Sequence, residues 1–450
     1  MSRKVTIFLI FLCLYSSFLH SNENHFNPFK DNQATLRDYV VATGEMLFIN
    51  FGVYEINNLY LSEKPVNVSF EIFKQNLTSP WIFDYSGFKR NQLYHPYFGA
   101  LYFTSGRSNN LNFADSFLLS VAGSFLWETY FEGPVSSLND FITTPTAGAI
   151  TGEMLHRLSF SFYDNAPLLS WILSPMDAFN QLLQNKRAVS PKGDIYSLSF
   201  STLGGLSYTN NTYLSKTVPQ FGGALNLVYN EPFGHNTKEL YDQFSIDLLY
   251  SFWNKSNFLK LYLDGSLFSK RVYFENESLS SIAISFDYDV LYGSSLSLST
   301  SSIGLSLKQA FENKNYSIQS DFIFLGTSDI FYLINDETKN YTKPQTQAPY
   351  TYKYGPEVKL AFNFYDEKIG NVLFSCNSHF LFTYQNSTKD QSLYSNLFTL
   401  CTDLSYEHKI YKNFYAGLRN ILILKNEFFE NKTNNEINNN TSLYIKYLCN

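Results

Sequence analysis

Charge is scarce. Charged residues make up 16% of the 450-residue chain, where about a quarter is usual for a soluble domain. Lys and Arg (33) are outnumbered by Asp and Glu (39), for a formal net charge of −6, which argues against a nucleic-acid partner. Cysteine is rare as well. Besides Cys13, near the N-terminus, there are only Cys376, Cys401 and Cys449, far apart and without CxxC spacing. That excludes a disulfide framework, supports no zinc site, and leaves them as small buried apolar residues. Long apolar runs are missing beyond the first 21 residues. The nearest, Phe113–Phe131, is interrupted by Asp115 and Glu128, so no stop-transfer helix would hold the chain in an inner membrane. H-E-x-x-H, G-x-S-x-G and a Gly-rich phosphate loop are also absent. Aromatic residues, in contrast, are plentiful: 43 Phe and 34 Tyr bring them to 18% of the chain. Such a composition can bury a large core and excludes disorder.

The first 21 residues read as a secretory signal. Arg3 and Lys4 form a positive start, Val5 to Tyr15 a short uncharged apolar run, and Ser16, Ser17 and Ser21 small residues near a cut. Cleavage after Ser21 moves the formal charge to about −8. Lipidation at Cys13 is the competing reading, but Phe11 and Leu12 fit a lipoprotein box badly. Residues 22–35 then form a mature N-terminal tail.

Residues 190–450 alternate with a period of two. Ile282, Ile284, Phe286, Tyr288 and Val290 interleave with Ser281, Ala283, Ser285, Asp287 and Asp289; Val358, Leu360, Phe362 and Phe364 interleave with Glu357, Lys359, Ala361 and Asn363. About twelve such runs occur, separated by Asn-, Asp-, Gly-, Ser- and Lys-rich turns. A soluble sandwich would bury the apolar face; a transmembrane barrel would turn it to lipid. Runs of 10–14 residues exceed an ordinary soluble strand of about 5–6 and suit a tilted bilayer crossing. Aromatics near the run ends (Tyr250, Phe252, Trp253; Tyr288, Tyr292; Phe382, Tyr384) suit interfacial girdles. The expectation is an antiparallel transmembrane β-barrel of about twelve strands over 190–450. A stretch at Lys339–Tyr352 reads as a long external loop.

Residues 36–187 have a helical character. The segment from Phe113 to Phe131 is apolar nearly all round, which predicts a buried helix. A second helix is predicted from Pro145 to about Leu158, with Thr144, Gly148 and Gly152 in a small-residue stripe that lets another backbone approach. A third is predicted from Ser174-Pro175-Met176-Asp177 to about Asn185, and another over Tyr39–Asn57. His95-Pro96 reads as an extended turn. These helices are expected to plug the barrel lumen or cap its periplasmic mouth.

The same region carries an ordered series of motifs: Asn91-Gln92-x-x-His95-Pro96-Tyr97-x-Gly99, Tyr102-Phe103, Arg107, Gly123-Ser124-x-x-Trp127-Glu128, Asn139-Asp140, and Thr144-x-x-x-Gly148-x-x-x-Gly152-Glu153. The series resembles the bacterial family catalogued as domain of unknown function 3943, over about residues 36–187. The resemblance implies a secreted protein of a Gram-negative bacterium, an outer-membrane barrel with a helical N-terminal part, and no established activity. Phe83, Ser86 and Asn180-Gln181 depart from the family pattern.

Chemically, the segment gathers His95, Arg107, Glu128, Glu132, Asp140, Glu153 and Arg157 among apolar helices, where isolated charges are costly and need partners. One reading is a structural network including Asn91, Arg107, Glu153 and Arg157, with Glu153 and Arg157 at i, i+4. The other makes His95, Glu128, Glu132 and Asp140 catalytic: two carboxylates one turn apart plus an imidazole can perform acid–base work or hold a metal. Glu153-x-x-His156 has the carboxylate–His spacing of a di-metal bundle but occurs once. No cofactor or metal is assigned from sequence. The primary reading is an outer-membrane barrel with a structural or narrow-substrate transport role. The alternatives are a hydrolase-type enzyme acting on lipid or envelope glycan, and a soluble periplasmic β-protein. The implied partners are outer-membrane lipid, the barrel-assembly machinery during biogenesis, and a small-molecule or lipid substrate of unstated identity.

Overall fold

The computed structural model describes residues 34–61, 68–84, 87–133, 135–184, 188–191, 193–211, 215–254, 256–273, 278–293, 297–329, 350–386, 394–430 and 433–449. The leader predicted at 1–21, most of the tail to 35, and the external loop as far as 349 lie outside them.

Twelve strands follow the alternating runs: β1 (Ile195–Asn211), β2 (Ser215–Tyr229), β3 (Gln243–Trp253), β4 (Ser256–Val272), β5 (Leu279–Gly293), β6 (Ser297–Ala310), β7 (Lys314–Asp329), β8 (Tyr350–Asp366), β9 (Gly370–Asn386), β10 (Ser395–Tyr411), β11 (Phe414–Phe429) and β12 (Thr433–Cys449). Each pairs antiparallel with its sequence neighbours, and β1 pairs with β12, so the sheet closes into a barrel. Closure leaves no edge with unpaired backbone groups, which a strand structure in hydrocarbon requires. The twelve strands anticipated from sequence are all present, and the architecture is a transmembrane β-barrel.

The pleat decides which face meets lipid. In β5, Ile282 and Ile284 are 47% and 41% exposed, while Asp287 and Asp289 on the opposite face are buried. Leu305 of β6 (62% exposed), Phe322 of β7, Val358 of β8, Leu404 of β10 and Leu443 of β12 continue the apolar outer belt. Inside, side chains meet across the lumen. Lys260 of β4 reaches Asp403 of β10 at 2.6 Å, and Lys359 of β8 bridges Asp264 of β4 at 2.6 Å and Asp289 of β5 at 2.7 Å. Arg419 of β11 also pairs with Asp403. A buried apolar cluster including Leu249, Leu291, Ile323, Leu381 and Ile421 shares the interior with them. The side chains of the wall therefore fill the interior.

Among the described residues, seven helices precede the barrel: α1 (Leu36–Ile56), α2 (Phe70–Thr78), α3 (His95–Ser108), α4 (Phe113–Leu126), α5 (Leu138–Phe162), α6 (Pro167–Leu173) and α7 (Pro175–Gln184). Single π-helical turns occupy Asn57–Leu61, Arg90–Tyr94 and Trp127–Phe131. Two sequence readings need correcting. His95-Pro96 opens α3 instead of forming an extended turn, because proline in the first turn has no hydrogen bond to lose. Helix α5 starts at Leu138, with Ser137 accepting a hydrogen bond from the Asp140 amide, and runs straight through Pro145.

The expected placement of the helices, plugging the lumen or capping its periplasmic mouth, is also corrected. Every strand residue that meets the helices lies on the outward face. Tyr288 and Val290 share the parity of the exposed Ile282 and Ile284 in β5, and the β5–β6 register is unbroken between them. Yet both are buried, and the Tyr288 hydroxyl donates to the Gln92 carbonyl at 2.6 Å. Ser299, paired with Val290 in register, donates to Gln92 Oε1 at 2.7 Å. Tyr352 donates to the Asp84 carbonyl at 2.6 Å, and Phe83 packs against Tyr352 and Tyr384. Ala147, Ile150, Met154 and Leu158 of α5 pack on Leu227, Phe244, Leu263 and Tyr288. At 25 residues, α5 is about 37 Å long and lies against the outside of the wall. The physical reason is space: a lumen closed by its own ion pairs has no room for helices.

Helices α1 and α4 bury polar side chains and turn apolar ones outward, whereas α2 exposes Glu71, Lys74 and Gln75. On α1, Asp38, Glu45 and Asn50 are buried while Val40, Leu47, Phe48 and Phe51 are exposed. On α4, Ser116, Ser120 and Ser124 are buried while Leu118 and Phe125 are exposed. Leu168 and Ile172 of α6 and Leu182 and Leu183 of α7 extend this apolar exterior. It inverts the pattern of a helix facing water and continues the lipid-facing belt. None of these helices is long and apolar enough to cross a membrane by itself. Helices α3 and α5 cross closely through the small-residue stripe: a Cβ on Gly99 would lie 1.8 Å from the Thr144 carbonyl oxygen, and one on Gly148 would lie 2.6 Å from Gly99 Cα.

Candidate functional site

The charged residues of the helical layer separate into two groups. In the first, Glu153 of α5 receives Arg107 Nε of α3 at 2.7 Å and Arg157 Nε at 2.7 Å, while Arg157 Nη2 reaches Glu239 in the β2–β3 loop at 3.0 Å. The Arg157 guanidinium also sits over the Tyr229 ring. Two guanidinium groups against two carboxylates make a balanced set, and it ties α3, α5 and the barrel together. His156 turns away from Glu153 and bonds Asp177 of α7 at 2.8 Å, so Glu153 and His156 do not share one ligand position.

The second group has no such balance. His95, at the start of α3, places Nδ1 3.2 Å from Thr144 Oγ1 and Nε2 3.9 Å from Asp140 Oδ2. Asp140, in the first turn of α5, is fully buried, and its Oδ1 accepts from Asn139 Nδ2 at 2.8 Å. Glu128, on the π-helical turn after α4, is fully buried, and its Oε2 accepts from the Ser137 amide at 2.7 Å. Glu132 follows the same turn as its C-cap, its amide donating to the Trp127 carbonyl. One ligand atom from each of His95, Glu132 and Asp140 falls within 4.8 Å of the others. Among the described residues, no Lys or Arg forms an ion pair with Glu128, Glu132 or Asp140, because Arg107 and Arg157 are committed to Glu153. From these residues Asp140 Oδ2, Glu128 Oε1 and Glu132 Oε2 receive no amide, hydroxyl, Lys or Arg donor; Glu128 pairs with Glu132, and Asp140 with Asp84, only through a shared carboxyl proton.

Burial and mutual repulsion set the protonation. Burial, then the neighbouring Glu132 and Asp140, holds Glu128 well above the usual carboxylate range. Burial raises Asp140 well above that range too, with Asp84 adding to it. Glu132 is pushed up to about 7, chiefly by burial, with His95 opposing. Burial lowers His95, leaving a neutral imidazole with a lone pair to offer.

Asn91 belongs beside this second group, not with the arginines: its Nδ2 donates to Asp84 Oδ1 at 3.2 Å. Asp84, Asn139, Ser137 and Thr144 are the supporting residues that sequence reasoning did not assign to the site. Asn139 was visible in the Asn-Asp pair, Thr144 in the small-residue stripe and Asp177 as the early acid of a helix start; nothing in the spacing tied Asp84, Glu239 or Asp177 to their partners.

The group lies near one rim of the barrel. Phe88 and Lys89 pack on the ring of Tyr292, next to the last residue of β5, and Asp84 meets Tyr352 near the start of β8. That is the end opposite the start of β1 and the end of β12. Tyr94, Tyr97, Lys89 and Arg90 are exposed around His95.

Residues 80–175 match the family model described as Domain of unknown function (DUF3943), the family that the motifs resemble. No curated protein matches the chain. Among solved structures, the barrel is similar to the NanC porin (7% identity, covering 55% of this chain and 98% of that one, TM-score 0.27). It is also similar to the outer-membrane OmpT of Vibrio cholerae (8% identity, 59% and 100% covered, TM-score 0.24). A third is the outer membrane channel DcaP of Acinetobacter baumannii (8% identity, 57% and 97% covered, TM-score 0.24).

Proposed function

We propose that this is an outer-membrane protein in which a sealed barrel serves as scaffold and the helical layer on its lipid face carries a hydrolytic site for membrane lipid. His95, Glu128, Glu132 and Asp140 are the acid–base residues. The carrying observation is the buried, cation-free cluster at His95, placed in a layer whose outer surface is apolar. A purely structural network would be expected to neutralise itself, as the Glu153–Arg107–Arg157–Glu239 set does. The His95 cluster has no cation and sheds its charge by keeping protons instead, and clustered carboxyls of raised proton affinity next to a neutral imidazole suit proton transfer.

The exposed Lys89 and Arg90, one turn before His95, suit an anionic headgroup at the membrane surface. In the reaction, an ionised carboxylate takes a proton from water, whose oxygen bonds to the ester carbon or phosphorus. The ester bond breaks, and a protonated carboxyl gives its proton to the leaving oxygen. Water is thereby added across the bond. Transport, the reading favoured by sequence, has less support, because ion pairs such as Lys260–Asp403 cross the lumen. Delivery by the barrel-assembly machinery belongs to the same reading.

The test is incubation of the folded protein in vesicles of anionic phospholipid and total outer-membrane lipid, with mass spectrometry of the products. The expected result is a new lyso- or dephosphorylated lipid, lost in His95→Ala. Unchanged lipids with the folded wild-type protein would refute the proposal.

A further inference from the structure

We infer that His95 Nε2, Glu132 and Asp140 Oδ2, with Glu128 beside them, form a site for one divalent metal ion. This deepens the reading of the cluster given above, on which it rests only for the identity of the site: with a metal bound, His95, Glu132 and Asp140 act as ligands and Glu128 keeps the acid–base role. Three of the groups have one polar atom held by a hydrogen bond within the helical layer. Asp140 Oδ1 accepts from Asn139, and its other oxygen faces His95 and the Asp84 carboxyl; Glu128 Oε2 accepts from the Ser137 amide, and its other oxygen faces the Glu132 carboxyl; His95 uses Nδ1 toward Thr144 and leaves Nε2 facing Asp140 at 3.9 Å. Among the described residues, no Lys, Arg, amide or hydroxyl donor reaches these second carboxyl oxygens. Asn139 is itself fixed, since its Oδ1 accepts from the Asp84 amide at 2.7 Å and from Ser137 Oγ at 3.0 Å. Outer hydrogen bonds that orient ligands in this way are what metal sites require.

The spacing also fits. Ligand atoms about 2.0–2.2 Å from a metal stand roughly 3–4 Å apart, and the three candidate atoms lie within 4.8 Å of one another. Closure by less than an ångström would bring them to one ion. A divalent charge supplies the positive partner that the described residues do not. One imidazole with two or three carboxylates favours Mn²⁺, Fe²⁺ or Zn²⁺ over Mg²⁺ or Ca²⁺, which prefer all-oxygen shells.

The experiment uses the full-length folded protein in detergent, without lipid, so it can succeed even where the lipid chemistry fails. After chelator treatment and dialysis, Mn²⁺ or Zn²⁺ is titrated and bound metal counted. One ion per chain is expected. His95→Ala and Asp140→Asn should weaken binding at least 100-fold, and His235→Ala, at a loop imidazole bonded to Asp242, should not. Heat-modifiable gel migration checks that each variant keeps its barrel. Should His95→Ala fail to fold, pulsed electron paramagnetic resonance of Mn²⁺ in the wild type decides, since an imidazole ligand gives a nitrogen coupling. No stoichiometric binding by folded wild-type protein, binding indifferent to both variants, or Mn²⁺ without nitrogen coupling would overturn the inference.

Discussion

Gly99→Ala offers a sharp test of how the helical layer holds its site. The added methyl would stand 1.8 Å from the Thr144 carbonyl oxygen and 2.7 Å from its carbon, both backbone atoms that cannot rotate aside. Helices α3 and α5 would have to part by more than an ångström. Overpacking of this kind costs about 3 kcal/mol at the upper end, and replacing a helical glycine returns about 1 kcal/mol. The net loss of about 2 kcal/mol corresponds to roughly a 30-fold change in the unfolding equilibrium of the layer. The parting also separates His95 from Thr144, which face each other across this crossing at 3.2 Å, so metal binding should fall with stability. Gly44→Ala on α1 is the control: nothing lies within 4 Å of its Cβ position, and stability should stay level or rise by up to about 1 kcal/mol. Tryptophan fluorescence during urea unfolding follows the layer through Trp81, Trp127 and Trp171. Equal stability of Gly99→Ala and wild type would refute the close crossing.

Other consequences can be measured separately. Lys359→Met leaves Asp264, Asp287, Asp289 and Glu357 without the cation they share; barrel stability should drop by about 3–5 kcal/mol, seen as a lower temperature for the shift in gel migration. Planar-bilayer recordings of the wild type should show no steady ion conductance, because ion pairs cross the lumen; a stable open channel would contradict that. Tyr288→Ala removes the hydroxyl bonded to Gln92 and the ring packed beneath α5, and should loosen the helical layer by about 3–5 kcal/mol while the barrel persists. Limited proteolysis cutting within 36–184 ahead of the barrel would report it; protection equal to wild type would count against the packing.

The barrel was legible because alternation is a local signal: Ile282 to Val290 states its two faces without reference to any partner. Which side of the wall the helices occupy was not legible. Tyr288, Val290 and Ser299 continue the lipid-facing rows of their strands, and only a tertiary contact shows that they are covered. Composition misled here, since buried charges among apolar helices fit a polar lumen as well as an inverted layer. The start of α5 was missed because Pro145 looks like a boundary, although Ser137 and Asp140 carry the actual cap. Within the candidate site, His95, Glu128, Glu132 and Asp140 were picked out by residue type and spacing. Their separation from Arg107 and Arg157 was hidden, because Glu153 draws both guanidinium groups and nothing in the spacing ranks one carboxylate above another.

The helices lie between the barrel wall and lipid. Nitroxide labels at Phe48→Cys on α1, Leu118→Cys on α4, Ile284→Cys on the outer wall and Asp287→Cys in the lumen, with the other cysteines replaced by serine, test it in vesicles. Accessibility to oxygen, which concentrates in lipid, is compared with accessibility to a water-soluble nickel chelate. The account predicts that positions 48, 118 and 284 favour oxygen alike and that position 287 is shielded from both. Nickel-dominated accessibility at 48 and 118, with oxygen dominating only at 284, would place the helices in water and contradict it.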